Sequence, residues 1–101
     1  MAGLAGRLND ALVKMRLGKG RHEVQLWLRD GSYLHFRHDR HTRWVQAGGE
    51  EGLLAAVLAA GIGGFKLHGR RLSISFNDGS HLEIRQSYFG WLRRRLSKNR
   101  E

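Results

Sequence analysis

An α+β fold is predicted for this chain on three observations. Apolar residues recur at helical spacing near the N-terminus, a β-hairpin pattern occurs twice, and a charge-free apolar stretch separates its two occurrences. With a C-terminal amphipathic segment, these give the order helix–hairpin–helix–hairpin–helix. The duplicated hairpins would form one antiparallel sheet of at least four strands, with a central apolar helix between them and a basic helix at the end.

The first helix rests on Leu4, Leu8, Ala11, Leu12 and Met15, with Arg7, Asn9, Asp10, Lys14 and Arg16 elsewhere on the wheel. This spacing predicts a helix over residues 3–17, ended by Gly18-Lys19-Gly20.

The period then changes to two. Val24, Leu26 and Leu28 alternate with Glu23, Gln25, Trp27 and Arg29, and after Asp30-Gly31 the apolar Leu34 and Phe36 alternate with Tyr33, His35 and Arg37. The design returns 48 residues later as Leu72, Ile74 and Phe76, the turn Asn77-Asp78-Gly79, then Ser80, Leu82, Ile84 and Arg85. An internal repeat of residues 21–38 and 70–86 follows; convergence on a common hairpin solution is the alternative. A two-residue loop would mix apolar and polar faces. Three-residue loops instead pair Leu26 with Leu34, Val24 with Phe36, Ile74 with Leu82 and Leu72 with Ile84, and they place Gly31 and Gly79 at the left-handed bulge position.

Between the hairpins, Gly48-Gly49 breaks the chain and Glu50-Glu51 falls in a first helical turn, at the positive end of the dipole. Leu53, Leu54, Val57 and Leu58 make one face, Ala55, Ala56, Ala59 and Ala60 the other, and Gly61 closes the helix. A helix apolar all round is expected to be buried. Phe65-Lys66-Leu67 reads as a short strand before the second hairpin, and Thr42 to Gln46 as an extension of the first. The last helix is placed from about Tyr88 to Leu96, with Phe89, Leu92 and Leu96 inward.

The 101 residues suit one domain over 1–101, large enough to bury about 65% of its unfolded surface. With no Cys there is no disulfide framework, thiolate metal site or Cys nucleophile. The longest charge-free run, residues 52–65, falls short of the ~17–25 residues that span a bilayer. The charged N-terminal segment does not read as a secretory signal, so a cytoplasmic location is expected.

Eighteen Lys and Arg against nine Asp and Glu give a net charge of +9, which points to a polyanionic partner. Arg outnumbers Lys 14 to 4, as bidentate phosphate binding would favour and as codon usage in a GC-rich genome would also produce. The densest positive run is Arg93, Arg94, Arg95, Lys98 and Arg100, joined by Arg37, Arg40 and Arg43 after the first hairpin. A solvated helix end is the plainer account of the former run. On the outer face of the first hairpin, Trp27 lies across from Tyr33, a pair able to stack bases unless one of the helices covers it.

His35, His38 and His41 have the wrong spacing for a metal: His35 and His38 leave a strand on opposite faces. No serine stands in a nucleophile elbow, and Gly61-Ile62-Gly63-Gly64 lacks the Lys-Ser/Thr of a phosphate loop. The sequence therefore predicts a non-enzymatic nucleic-acid-binding protein without cofactor or metal. The alternative is a protein-interaction module, such as an inhibitor or assembly subunit, that docks its basic surface on an acidic protein. Sheet edges and a Gly/Ala-faced helix would also permit a homo-oligomer.

Overall fold

The computed structural model describes residues 3–18, 20, 22–39 and 42–98. Its elements run α1 (Gly3–Ala11), β1 (Leu12–Leu17), β2 (Glu23–Leu28), β3 (Tyr33–His38), β4 (Arg43–Gly48), α2 (Leu53–Ala60), β5 (Ile62–His68), β6 (Arg71–Phe76), β7 (Ser80–Gln86) and β8 (Leu92–Lys98). One α-β-β-β-β unit is thus followed by a second of the same order. The fold is α+β with two antiparallel four-stranded sheets, β1-β2-β3-β4 and β5-β6-β7-β8, and not one shared sheet. Each hairpin acquires a further strand on both sides within its own unit, so each sheet is complete before the chain passes on.

Both hairpins take the register that the three-residue loops require: Val24 faces Phe36, Leu26 faces Leu34, Leu72 faces Ile84 and Ile74 faces Leu82. Gly31 and Gly79 sit at φ 89° and 87°, the left-handed bulge geometry that a side chain resists. In each turn an aspartate locks the loop. Asp30 Oδ1 accepts from the Ser32 amide (2.9 Å) and hydroxyl (2.5 Å), and Asp78 Oδ1 does the same for Ser80 at the same distances.

The first helix stops at Ala11, not Leu17, and residues 12–17 are strand β1. A β-bulge explains the misleading spacing. The register with β2 shifts between Leu12 and Lys14, so the inward-facing Leu12 and Met15 lie three residues apart instead of two. One extra residue turns a strand step into an apparent helical step. Strand β5 carries the same irregularity between Ile62 and Gly64, which sets Ile62 and Phe65 three apart.

The C-terminal segment is likewise a strand. β8 pairs with β7 from Gln86↔Leu92 to Ser80↔Lys98, and Phe89 lies in the preceding loop at 90% exposure. The apolar residues Leu92 and Leu96 share a strand face as readily as a helix face, since their separation of four suits both periods.

One hydrophobic core joins the inner faces of both sheets. Phe36 of β3 meets Phe65 of β5 edge-to-face, ring centroids 5.1 Å apart. The helices are exchanged: α1 packs on β6, β7 and β8, and α2 on β4 and β3. The N-terminus of α1 is capped from the far unit, its Leu4 amide donating to Asp78 Oδ2 (2.8 Å) and its Ala5 amide to Ser80 Oγ (3.0 Å). Orphan amides of a first helical turn need such acceptors.

Helix α2 is not enclosed on all sides. Ala55 and Leu58 are fully buried, but Leu53 is 74% exposed and Val57 41%, as the helix packs chiefly on β4 and β3 with one side. Among the described residues, no helix is long and apolar enough to cross a membrane.

Candidate nucleic-acid interface

Strand alternation sends every second residue of each sheet away from the core. On the first sheet, Trp27 stands directly opposite Tyr33, their ring centroids 5.1 Å apart and tilted by 53°. Both are half-buried and neither belongs to the core, so the pair is not core packing. A Cβ on Gly48 would come within 2.7 Å of the Tyr33 ring, so Tyr33 lies across the bare backbone of β4. Further along the face, Glu23, Arg37 and Trp44 form one row across three strands. Glu23 also meets His35 at 2.6 Å, and His35 packs against Trp44 with centroids 4.9 Å apart. The positive charge of Arg37 therefore stands directly opposite a carboxylate.

The equivalent row of the second sheet is built differently. Arg71 faces Arg85, and Arg85 faces Arg93. His68 extends the row on β5, opposite Arg71. The next row is Lys66, Ser73, Glu83 and Arg95. One diagonal ion pair, Arg71 Nη1 to Glu83 Oε2 at 3.3 Å, offsets part of this charge. Directly opposed like charges on neighbouring strands, with Cβ atoms ~4.5–5.5 Å apart, destabilise a sheet.

The arginine row opens onto a cleft of about 1120 Å³ that Arg70, Arg71, Arg85 and Arg93 line. The β7–β8 loop contributes Tyr88, Phe89 and Trp91 to the same cleft, at 80%, 90% and 79% exposure. This loop is closed by its own hydrogen bonds. Ser87 Oγ accepts from the Phe89 amide (3.2 Å) and the Trp91 amide (3.0 Å), and the Ser87 amide donates to the Trp91 carbonyl (2.8 Å).

Two of the arginines singled out in the sequence have other partners. Arg94 points to the core side of β8 and donates to the carbonyls of Asn9 (2.9 Å) and Leu12 (3.3 Å), so it caps the C-terminal end of α1. Arg43 donates to the Phe65 carbonyl and lies over the Phe65 ring, 5.2 Å from its centroid, tying β4 to β5. Arg93, Arg95 and Arg37 do face outward. Arg37 is on the other sheet, so the structure does not gather the predicted cations into one patch. Arg40, Arg100, His41 and the side chain of Lys98 lie outside the described residues.

His35 and His38 diverge as strand alternation requires, His35 toward Glu23 and His38 toward the Phe65 ring. No group of three His, Asp or Glu converges among the described residues.

The row itself was missed by sequence reasoning. Alternation with the inward Leu72 and Ile84 sends Arg71 and Arg85 outward, but a helix placed over Tyr88 to Leu96 hides their alignment with Arg93. The signal that exposes it is the period-two reading of Leu92, Arg94 and Leu96 inward, which sends Arg93 and Arg95 outward.

The chain matches no protein-family model, no curated protein and no solved structure.

The two arginine roles separate in a stability measurement. Arg94→Ala is expected to lower the unfolding free energy by about 1–2 kcal/mol, since it strips a charged donor from two helix-end carbonyls. Arg93→Ala is expected to stay within about 0.5 kcal/mol of the parent, as exposed substitutions do. Equal urea midpoints for the two variants would detach Arg94 from α1.

Proposed function

We propose that the protein is a non-enzymatic nucleic-acid-binding protein that holds phosphates along Arg71, Arg85 and Arg93. One observation carries this reading: the repeat acts as an internal control. Where the first unit sets Glu23 opposite Arg37, the second sets Arg71 opposite Arg85, with Arg93 on the other side in the place of Trp44. The same fold therefore accommodates a carboxylate in this row, and the second unit instead opposes arginines there, a cost in stability that the Arg71–Glu83 pair offsets in part. A polyanion removes that cost by binding, because each phosphate neutralises a cation and releases counterions. The excess charge of +9 adds a long-range attraction to the same partner. Arg95 extends the surface by one row, and Arg37, on the same face of the first sheet as Trp27 and Tyr33 but two rows along, supplies a smaller contact area there.

Titration of a labelled oligonucleotide at several salt concentrations tests the reading. Affinity is expected to fall linearly with log salt, and the Arg71→Ala/Arg85→Ala/Arg93→Ala variant should flatten the slope by about 2 on single strands or about 2.7 on duplex. The melting temperature of that variant should hold or rise, since the opposed charges are gone. A parent protein that binds no oligonucleotide at low salt, yet binds an acidic protein through these arginines, would replace this reading with the protein-interaction one.

A further inference from the structure

Resting on that reading, we infer that the bound strand is unpaired, with its bases stacked on Tyr88, Phe89 and Trp91 while its phosphates follow the arginine row. These three rings fall within four residues and are 79–90% exposed, a concentration of apolar surface that marks a binding site. Their loop is held closed by Ser87, and the Arg70 guanidinium lies 4.5 Å from the Tyr88 ring centroid, so the rings are presented on a fixed frame. A fixed frame spares the binding step most of the entropy of ordering the loop.

Rings and cations line one cleft, and its volume of about 1120 Å³ is above the ~300–1,000 Å³ of ordinary small-ligand pockets. A strand running along it can set its backbone against the row and turn its bases toward the loop. Aromatic faces with an adjacent positive groove are what single-strand binders use without regard to base identity. A duplex has no free base faces. It would satisfy the arginines and leave the rings in water. Basic and aromatic side chains also suit an anionic bilayer surface; a strand is favoured because the rings and the arginine row border one open cleft.

The test compares a short mixed-sequence single strand with its duplex at one salt concentration, using the parent, Phe89→Ala/Trp91→Ala and Arg85→Ala. The parent is expected to prefer the single strand by about tenfold or more, and the loop variant to lose roughly 10- to 100-fold in single-strand affinity with its salt slope unchanged. Arg85→Ala should weaken both ligands. Both substituted rings are exposed, so melting curves should show the loop variant folded. Equal affinity for the two ligands, or an unchanged single-strand affinity in the loop variant, would overturn base stacking; an Arg85→Ala effect in the same experiment would leave the nucleic-acid reading standing. Absence of oligonucleotide binding, with loop-dependent binding to phosphatidylserine vesicles, would overturn both.

Discussion

Truncating Phe36 to alanine is expected to cost about 3–5 kcal/mol, the range for removing a fully buried aromatic ring from a core that can only partly collapse. Phe36 is 0% exposed and is paired edge-to-face with Phe65, so the ring joins a strand of one unit to a strand of the other. Domains of this size have about 5–15 kcal/mol in total, and the variant should therefore sit near the edge of stability. Guanidinium unfolding monitored by circular dichroism measures it. A loss below about 1 kcal/mol would mean that the two sheets do not depend on this contact.

Asp78→Ala should produce the second large loss, and Asp30→Ala supplies its control. Both aspartates accept the same two hydrogen bonds from a serine two residues on, but Asp78 alone also receives the Leu4 amide. The difference between the variants contains the cap on α1 and should be at least about 1–2 kcal/mol, the usual worth of an N-cap acceptor. Identical unfolding curves would sever α1 from the β6–β7 turn. Asp30 also gives a pH signature. The Ser32 hydroxyl, and then the Ser32 amide, hold its carboxyl below the ordinary value of 3.8. Its folded form thus favours the charged state, and its contribution is present above that value and fades as the pH falls through the lowered one. Asp30→Ala should unfold with a weaker acid dependence than the parent.

The hairpins were legible because one residue of slip would turn Val24, Leu26, Leu34 and Phe36 outward together, so only one register buries them. The outward order Trp27–Tyr33, Gln25–His35 and Glu23–Arg37 follows from the same constraint. The strands β1 and β8 were not legible as strands. In β1 a bulge disguises the period, and in β8 three consecutive arginines leave only Leu92 and Leu96 to define one. Those two elements decide the sheet count, so their misreading merged two sheets into one. It also separated Arg93 from Arg71 and Arg85, which is why the basic residues were found but their alignment was not. The loop rings followed suit: Phe89, assigned to a helix stripe, is instead the most exposed of the large hydrophobic residues among the described ones.

The exchanged helices carry a consequence for the order of events during synthesis. The acceptors that hold α1 lie 74 and 75 residues downstream of the amides they bind, and the arginine that closes its other end lies 85 residues beyond Asn9. A nine-residue helix is marginal in water without its seat. Helix α1 therefore emerges well before its seat and waits for it about 4–16 s at ordinary elongation rates of ~5–20 residues per second. The hairpins, closed by local turns, can form as they emerge, while contacts of such long range are made late because loop closure must precede them. Throughout that interval the apolar faces of Leu72, Ile74, Leu82 and Ile84 either do not yet exist or lack their cover, so the nascent chain is most exposed to misassembly after β6 and β7 have emerged and before α1 has docked on them.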